Sequence, residues 1–137
     1  LLKPGKLDAR EWEIMKTHAR IGADILAGED SELMTMAHDI ALTHHEKWDG
    51  SGYPHGLKCD EIVLPGRIVA LADVFDALTS ERPYKCAWPV EEAMTYIREQ
   101  SGKHFDPDLV KNFLNILPEI VQIREKFAEP DPGAAVA

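Results

Sequence analysis

The sequence is 137 residues long, which suits one domain of ordinary size. With 45% hydrophobic and 28% charged residues it can bury a core without disulfide or metal staples, and no apolar run approaches the ~18 residues of a membrane-spanning helix. Its 15 Lys and Arg against 24 Asp and Glu leave a formal net charge of −9, which disfavours general affinity for nucleic acid or anionic membrane.

Residues 1–7 read as a loop turning at Pro4-Gly5. Asp8 then caps a helix, with Glu11 at the capping-box spacing. That helix is expected to run to about Ala27 and stop near Gly28, with Ile14, Ile21 and Ile25 on one inward stripe. A second helix is expected over 31–46, with Leu33, Met36, Ala37, Ile40 and Ala41 inward. From 47 to 66 the pattern breaks at Gly50, Gly52, Pro54, Gly56 and Pro65. Loops longer than about 12–15 residues in compact domains are usually functional or disordered.

Residues 67–78 read as a mostly apolar helix, followed by a turn at Arg82-Pro83-Tyr84-Lys85. Pro89 suits the start of a helix reaching about Gln100, with Val90, Ala93, Met94 and Ile97 inward. Asp106-Pro107 opens another, with Leu109, Val110, Phe113 and Leu117 inward, and Pro118 divides it from a short last helix ending near Phe127. Residues 128–137 read as a flexible Pro/Gly/Ala-rich tail. No strand pattern or repeat competes, so the expected fold is all-α. Cys59 and Cys86 are isolated and fit no metal spacing; two free thiols suit a cytoplasmic setting. No signal peptide is visible, and Leu1 in place of Met reads as the start of a piece of a longer chain.

Six histidines among many carboxylates direct attention to metal chemistry. His18 shares the Ile14, Ile21 and Ile25 stripe and is expected to face inward, as a core histidine or as a ligand. His44 and His45 close the second helix, either as polar surface residues suited to a helix C-terminus or as a ligand pair. Asp73 lies in the apolar run from Ile68 to Phe75, where a buried carboxylate must be paired, protonated or on a metal. Asp76 reads as a surface residue or a support for the site, and His55 and His104 read as surface residues. Imidazole and carboxylate ligands suit iron, manganese or zinc. Arg82 and Lys85 are placed to hold phosphates, or else are ordinary solvated loop residues.

The run His44-His45-Glu46-Lys47-Trp48-Asp49-Gly50-Ser51-Gly52-Tyr53-Pro54 resembles the signature of the HD-GYP family, which hydrolyses cyclic di-GMP in bacterial signalling. Supporting runs are Lys3 to Leu7, Ala70 to Leu78, Arg82 to Lys85 and Phe105-Asp106-Pro107, in family order from Leu1 to about Leu117. The resemblance implies a helical HD-domain fold around two or three divalent ions, iron or manganese favoured, with a metal-bound hydroxide attacking phosphorus. It implies that His18, His44, His45 and Asp73 are metal ligands. Gly50, Gly52, Tyr53 and Pro54 would form the loop beside the substrate, and Arg82 and Lys85 would contact its phosphates, Tyr53 also touching it. Residues 1–127 would then be the C-terminal part of an HD-GYP domain.

In the family a His-Asp doublet precedes the segment matching Lys3-Pro4-Gly5; His38-Asp39 lies instead inside the helix leading to His44. The segment alone is therefore expected to be inactive or weakly active and to self-associate through uncovered apolar surface. A regulatory domain upstream, and signalling partners docking on the Gly-Tyr-Pro loop, are further expectations. One alternative is a catalytically silent HD-GYP module that binds a ligand or a protein; another is a helical metalloprotein acting on a different phosphate ester.

Overall fold

A computed structural model describes residues 7–28, 31–81 and 86–127, and the regular elements among them are helices. Helix α1 spans Ala9–Leu26. Its N-terminus is closed reciprocally: Glu11 N–H donates to the Asp8 carboxylate at 2.9 Å, and Asp8 N–H donates to Glu11 at 2.8 Å. The chain leaves α1 through extended Ala27 and through Gly28 at φ +103°, a conformation that suits glycine. Helix α2, Glu32–Thr43, stops short of the expected end, with His44 as its C-cap. Helix α3, Leu64–Thr79, starts before the apolar run because Pro65 fits its first turn. Helices α4, Val90–Glu99, and α5, Pro107–Asn115, open at Pro89 and at Asp106, whose side chain accepts Asp108 N–H at 2.9 Å. Helix α6 is Leu117–Phe127, with Pro118 in its first turn. No helix among the described residues is long and apolar enough to cross a membrane. Residues 1–6 of the expected 1–7 loop, the Arg82 to Lys85 turn and the 128–137 tail lie outside the described residues.

The core sits between α3, α4 and α5. Ala93, Met94 and Ile97 on α4 are buried against Leu71, Phe75 and Leu78 of α3, and Phe75 meets Phe113 edge to face at 5.2 Å. Each large side chain buried there contributes about 1.5–3 kcal/mol by leaving water.

The first two helices depart from expectation. Ile14, Ile21 and Ile25 are exposed, at 62%, 52% and 76%, and so are Leu33 and Met36 of α2. The residues of α1 that are buried are Ala19 and Ala23, on the opposite side of the helix from the isoleucines. Gly22, beside them, lies close to Ala41 of α2. Small residues let the two backbones approach, so the packing face is the alanine stripe rather than the more hydrophobic one. Farther along, Gly66 of α3 abuts Thr43 at the end of α2 so tightly that a Cβ would collide with the threonine side chain.

The irregular stretch between α2 and α3 is ordered by its backbone partners. Trp48 and Asp49 N–H groups donate to His104 and Lys103 carbonyls at 3.1 and 2.8 Å. Cys59 N–H donates to the Trp48 carbonyl at 3.0 Å, entering a single 3-10 turn at Cys59–Glu61. Arg67 ties this stretch to the start of α5. Its guanidinium donates to Asp60 at 3.0 Å and Asp106 at 2.9 Å and lies 5.5 Å from the centre of a Trp48 ring.

Candidate metal centre

Three imidazoles meet where the end of α2 passes α1. His18 comes from the middle of α1, His44 caps α2 and His45 follows it. One ring nitrogen from each lies within 4.8 Å of the others, and these three form the metal-capable group among the described residues. His18 Nε2 and His45 Nε2 are 3.0 Å apart, and the His44 and His45 ring centres are 4.0 Å apart. Two adjacent histidines would diverge on a continuing helix; ending α2 at Thr43 lets both rings turn to one place.

Backbone carbonyls orient two of the rings. His18 Nδ1 lies 2.6 Å from the Met15 carbonyl, and His44 Nδ1 lies 3.0 Å from both the Ile40 and Ala41 carbonyls. A carbonyl only accepts, so Nδ1 carries the proton in each and Nε2 keeps its lone pair. That is the tautomer a metal-binding histidine needs, fixed by the kind of outer contact that orients metal ligands. Burial, then the neighbouring His44, His18 and His104, pushes His45 down to about 4, so it is a neutral donor at neutral pH. Three imidazoles converging on one point fit a divalent cation of the iron, manganese or zinc type.

His18 is an exposed residue rather than an interior one, because the face of α1 that carries it is uncovered. Asp73 is likewise exposed, so the apolar letters around it do not describe a buried helix side at that position. It is not among the three residues grouped by their donor atoms. Its charge nevertheless reaches the cluster's neighbour: burial, and then Asp73, raises the Tyr53 hydroxyl above its ordinary range. Tyr53 stacks on His45 with ring centres 4.8 Å apart and meets His18 and Trp12 edge-on at 6.4 and 6.2 Å.

The Gly-rich loop carries Tyr53 there. Gly50 has φ +84°, and Gly52 lies so close to the Glu46 and Lys47 backbone that no side chain fits. The Tyr53-Pro54 peptide is cis. Arg82 and Lys85 lie outside the described residues. Asp76 is exposed and accepts the Ser80 hydroxyl at 3.0 Å, and His55 is exposed. His104 is not the surface residue expected: it stacks on Phe105 at 4.3 Å, and burial lowers it to about 4. Glu46, absent from the candidate site residues, has a carboxylate that is buried under the loop and accepts two backbone N–H groups. Its signal in the sequence is an acid directly after a histidine pair and directly before a glycine-rich stretch.

A profile of the HD domain matches residues 1–109. The chain is 51% identical over 129 residues to the 3′3′-cGAMP-specific phosphodiesterase 2 of Vibrio cholerae, covering 94% of this chain and 25% of that protein. It is 50% identical over 131 residues to a cyclic di-GMP phosphodiesterase of Thermotoga maritima, covering 96% of this chain and 36% of the relative. Among solved structures, a cyclic GMP-AMP specific phosphodiesterase of V. cholerae (V-cGAP3) superimposes with TM-score 0.65 at 28% identity, over 85% of this chain and 26% of that one. The chain thus spans about a quarter to a third of the length of these relatives. The all-helical architecture and the profile match agree, and the run from His44 to Pro54 is the HD-GYP signature: the chain belongs to the HD-domain family, in its HD-GYP branch.

Proposed function

We propose that the protein containing this chain is a metal-dependent phosphodiesterase that opens a 3′,3′-linked cyclic dinucleotide, cyclic di-GMP foremost. The observation that supports this best is the convergence of His18, His44 and His45 beneath Tyr53 of the signature loop. The names of the relatives add the substrate class, cyclic di-GMP in some and 3′3′-cGAMP in others. We assign His18, His44 and His45 as metal ligands, with Asp73 as a further ligand, for a centre of two or three divalent ions, iron or manganese. A bound divalent ion supplies activation of water and neutralisation of phosphoryl charge.

The protein's own groups do the rest. The Met15, Ile40 and Ala41 carbonyls keep the imidazole lone pairs directed at one point. Tyr53, its hydroxyl held protonated, presents a donor and a flat ring face to the dinucleotide. Arg82 and Lys85 bind phosphate, offsetting a chain charge of −9 that would otherwise repel this substrate. The 137-residue segment by itself is assigned weak metal binding and little turnover, because three clustered imidazoles are few donors for several ions. The two free cysteines suit a cytoplasmic enzyme.

The test uses the complete protein supplied with Mn²⁺ or Fe²⁺ and assayed on cyclic di-GMP and 3′3′-cGAMP. His45→Ala is expected to lose both metal and turnover. Arg82→Ala is expected to keep its metal and raise KM. Binding of cyclic di-GMP without hydrolysis by the metal-loaded wild type would overturn the enzymatic reading in favour of a silent binding module.

A further inference from the structure

We infer that Glu46 is a positioning residue: its buried carboxylate clamps the return limb of the signature loop and so holds Tyr53 flat against His45. Glu46 is 2% exposed. Its two oxygens take separate backbone donors, Oε1 from His55 N–H at 2.7 Å and Oε2 from Leu57 N–H at 3.0 Å. Buried carboxylates need such donors, and hydrogen bonds to an ionised acceptor are the stronger kind. The simplest account is that Glu46 merely satisfies two loop amides. Two observations carry it further.

The first is the path of the chain. Glu46 directly follows His45, and Gly52 returns onto the Glu46 and Lys47 backbone with no space for a side chain. Tyr53 N–H then donates to the His45 carbonyl at 3.2 Å, which fixes the outgoing limb. The Glu46 carboxylate fixes the limb beyond Pro54. Tyr53 is thus held from both sides by two consecutive residues, one of them in the imidazole cluster. The second observation is the ring geometry. Tyr53 lies 28° from parallel with the His45 ring at 4.8 Å, so a small shift of the loop would break the stack. Without Glu46, one of the two ties is lost and Tyr53 no longer defines the wall of the site. The consequence for catalysis rests on the phosphodiesterase reading; the clamp itself does not.

The experiment uses Glu46→Gln and Glu46→Ala in the complete protein. Gln keeps the shape and one acceptor, but turns an NH₂ toward the other amide. Amide exchange at His55 and Leu57, the Tyr53–His45 ring contact by NMR, Mn²⁺ content, and KM and kcat on cyclic di-GMP are measured together. Faster exchange at one or both amides, a weakened ring contact and unchanged Mn²⁺ content are expected in Glu46→Gln. Its kcat/KM should fall on the order of 100-fold, mainly through KM, as for a group displaced by about 1 Å. Glu46→Ala should go further in the same direction. A retained ring contact despite freely exchanging amides would overturn the inference. So would loss of Mn²⁺ with the ring contact intact, since Glu46 would then support the histidines and not the loop. Absence of turnover in the metal-loaded wild type would sink the phosphodiesterase reading, while exchange and ring contact would still decide the clamp.

Discussion

The α1–α2 pair and the α3–α4–α5 core carry similar helical patterns and meet different fates. On α4, Ala93, Met94 and Ile97 were legible as an inward face, and the fold buries all three. On α1, Ile14, Ile21 and Ile25 show the same periodicity and remain in solvent, while Ala19 and Ala23 are buried. Periodicity identifies an apolar face; it does not say that another element covers it. The α1–α2 contact is chosen by how closely two backbones can approach, which small residues decide.

That contrast is sharpest in stability. Ile97→Ala removes a side chain with no exposure, and Phe75→Ala one that packs on Phe113. Each should destabilise the chain by about 2–5 kcal/mol, by lost transfer energy and a residual cavity. Ile21→Ala should lie within about 0.5 kcal/mol of wild type, as at other uncovered positions. Urea unfolding of the three variants measures the difference. Equal losses at Ile97 and Ile21 would show that the two regions are packed alike.

The same distinction explains what the sequence did and did not reveal of the site. Local signals carried through to the structure: the Asp8–Glu11 box, the Pro89 and Asp106-Pro107 helix starts, and the signature loop with its glycine turns. Burial is a long-range property, and here it departs from the local pattern in both directions. His18 and Asp73 sit in apolar patterns yet are exposed. Glu46 and His104 sit in polar ones, yet Glu46 is buried and His104 half-buried, because the loop and the 103–104 segment close over each other through Trp48 and Asp49. Family resemblance places the three histidines together; the carbonyl contacts that orient His18 and His44 are visible only in the fold.

Acid should expose a property that the two regions share. His45 and His104 are held down to about 4, in both cases chiefly by burial, whereas an ordinary imidazole charges near 6.5. Between those values the unfolded chain binds more protons than the folded one. Stability of the metal-free protein should therefore be complete above about pH 6.5 and decline as pH falls toward about 4, where the decline levels off. Solvent screening of half-exposed rings reduces the combined loss to roughly 1–2 kcal/mol. Denaturation midpoints across this range check it, and His104→Gln should flatten part of the slope. A slope unchanged in that variant would mean that His104 is not held neutral by its packing on Phe105.

The smallest stability effect, and the most direct probe of the open face, is expected from Ile21→Ser with Ile25→Ser. Both side chains are more than half exposed, so their removal takes little apolar surface out of a packed interior and unfolding should shift by about 0.5 kcal/mol or less. Association should respond far more. Ile14, Ile21 and Ile25 on α1, with Leu33 and Met36 on α2, leave large apolar side chains open to water, and such surface gains by finding a second apolar surface. The 137-residue segment should therefore self-associate with rising concentration, and the double variant should shift it toward monomer at unchanged helicity. Sedimentation of the two forms over a concentration series measures this. A wild-type segment that stays monomeric throughout would show that exposure alone does not make this face adhesive, and that the charge of −9 keeps copies apart.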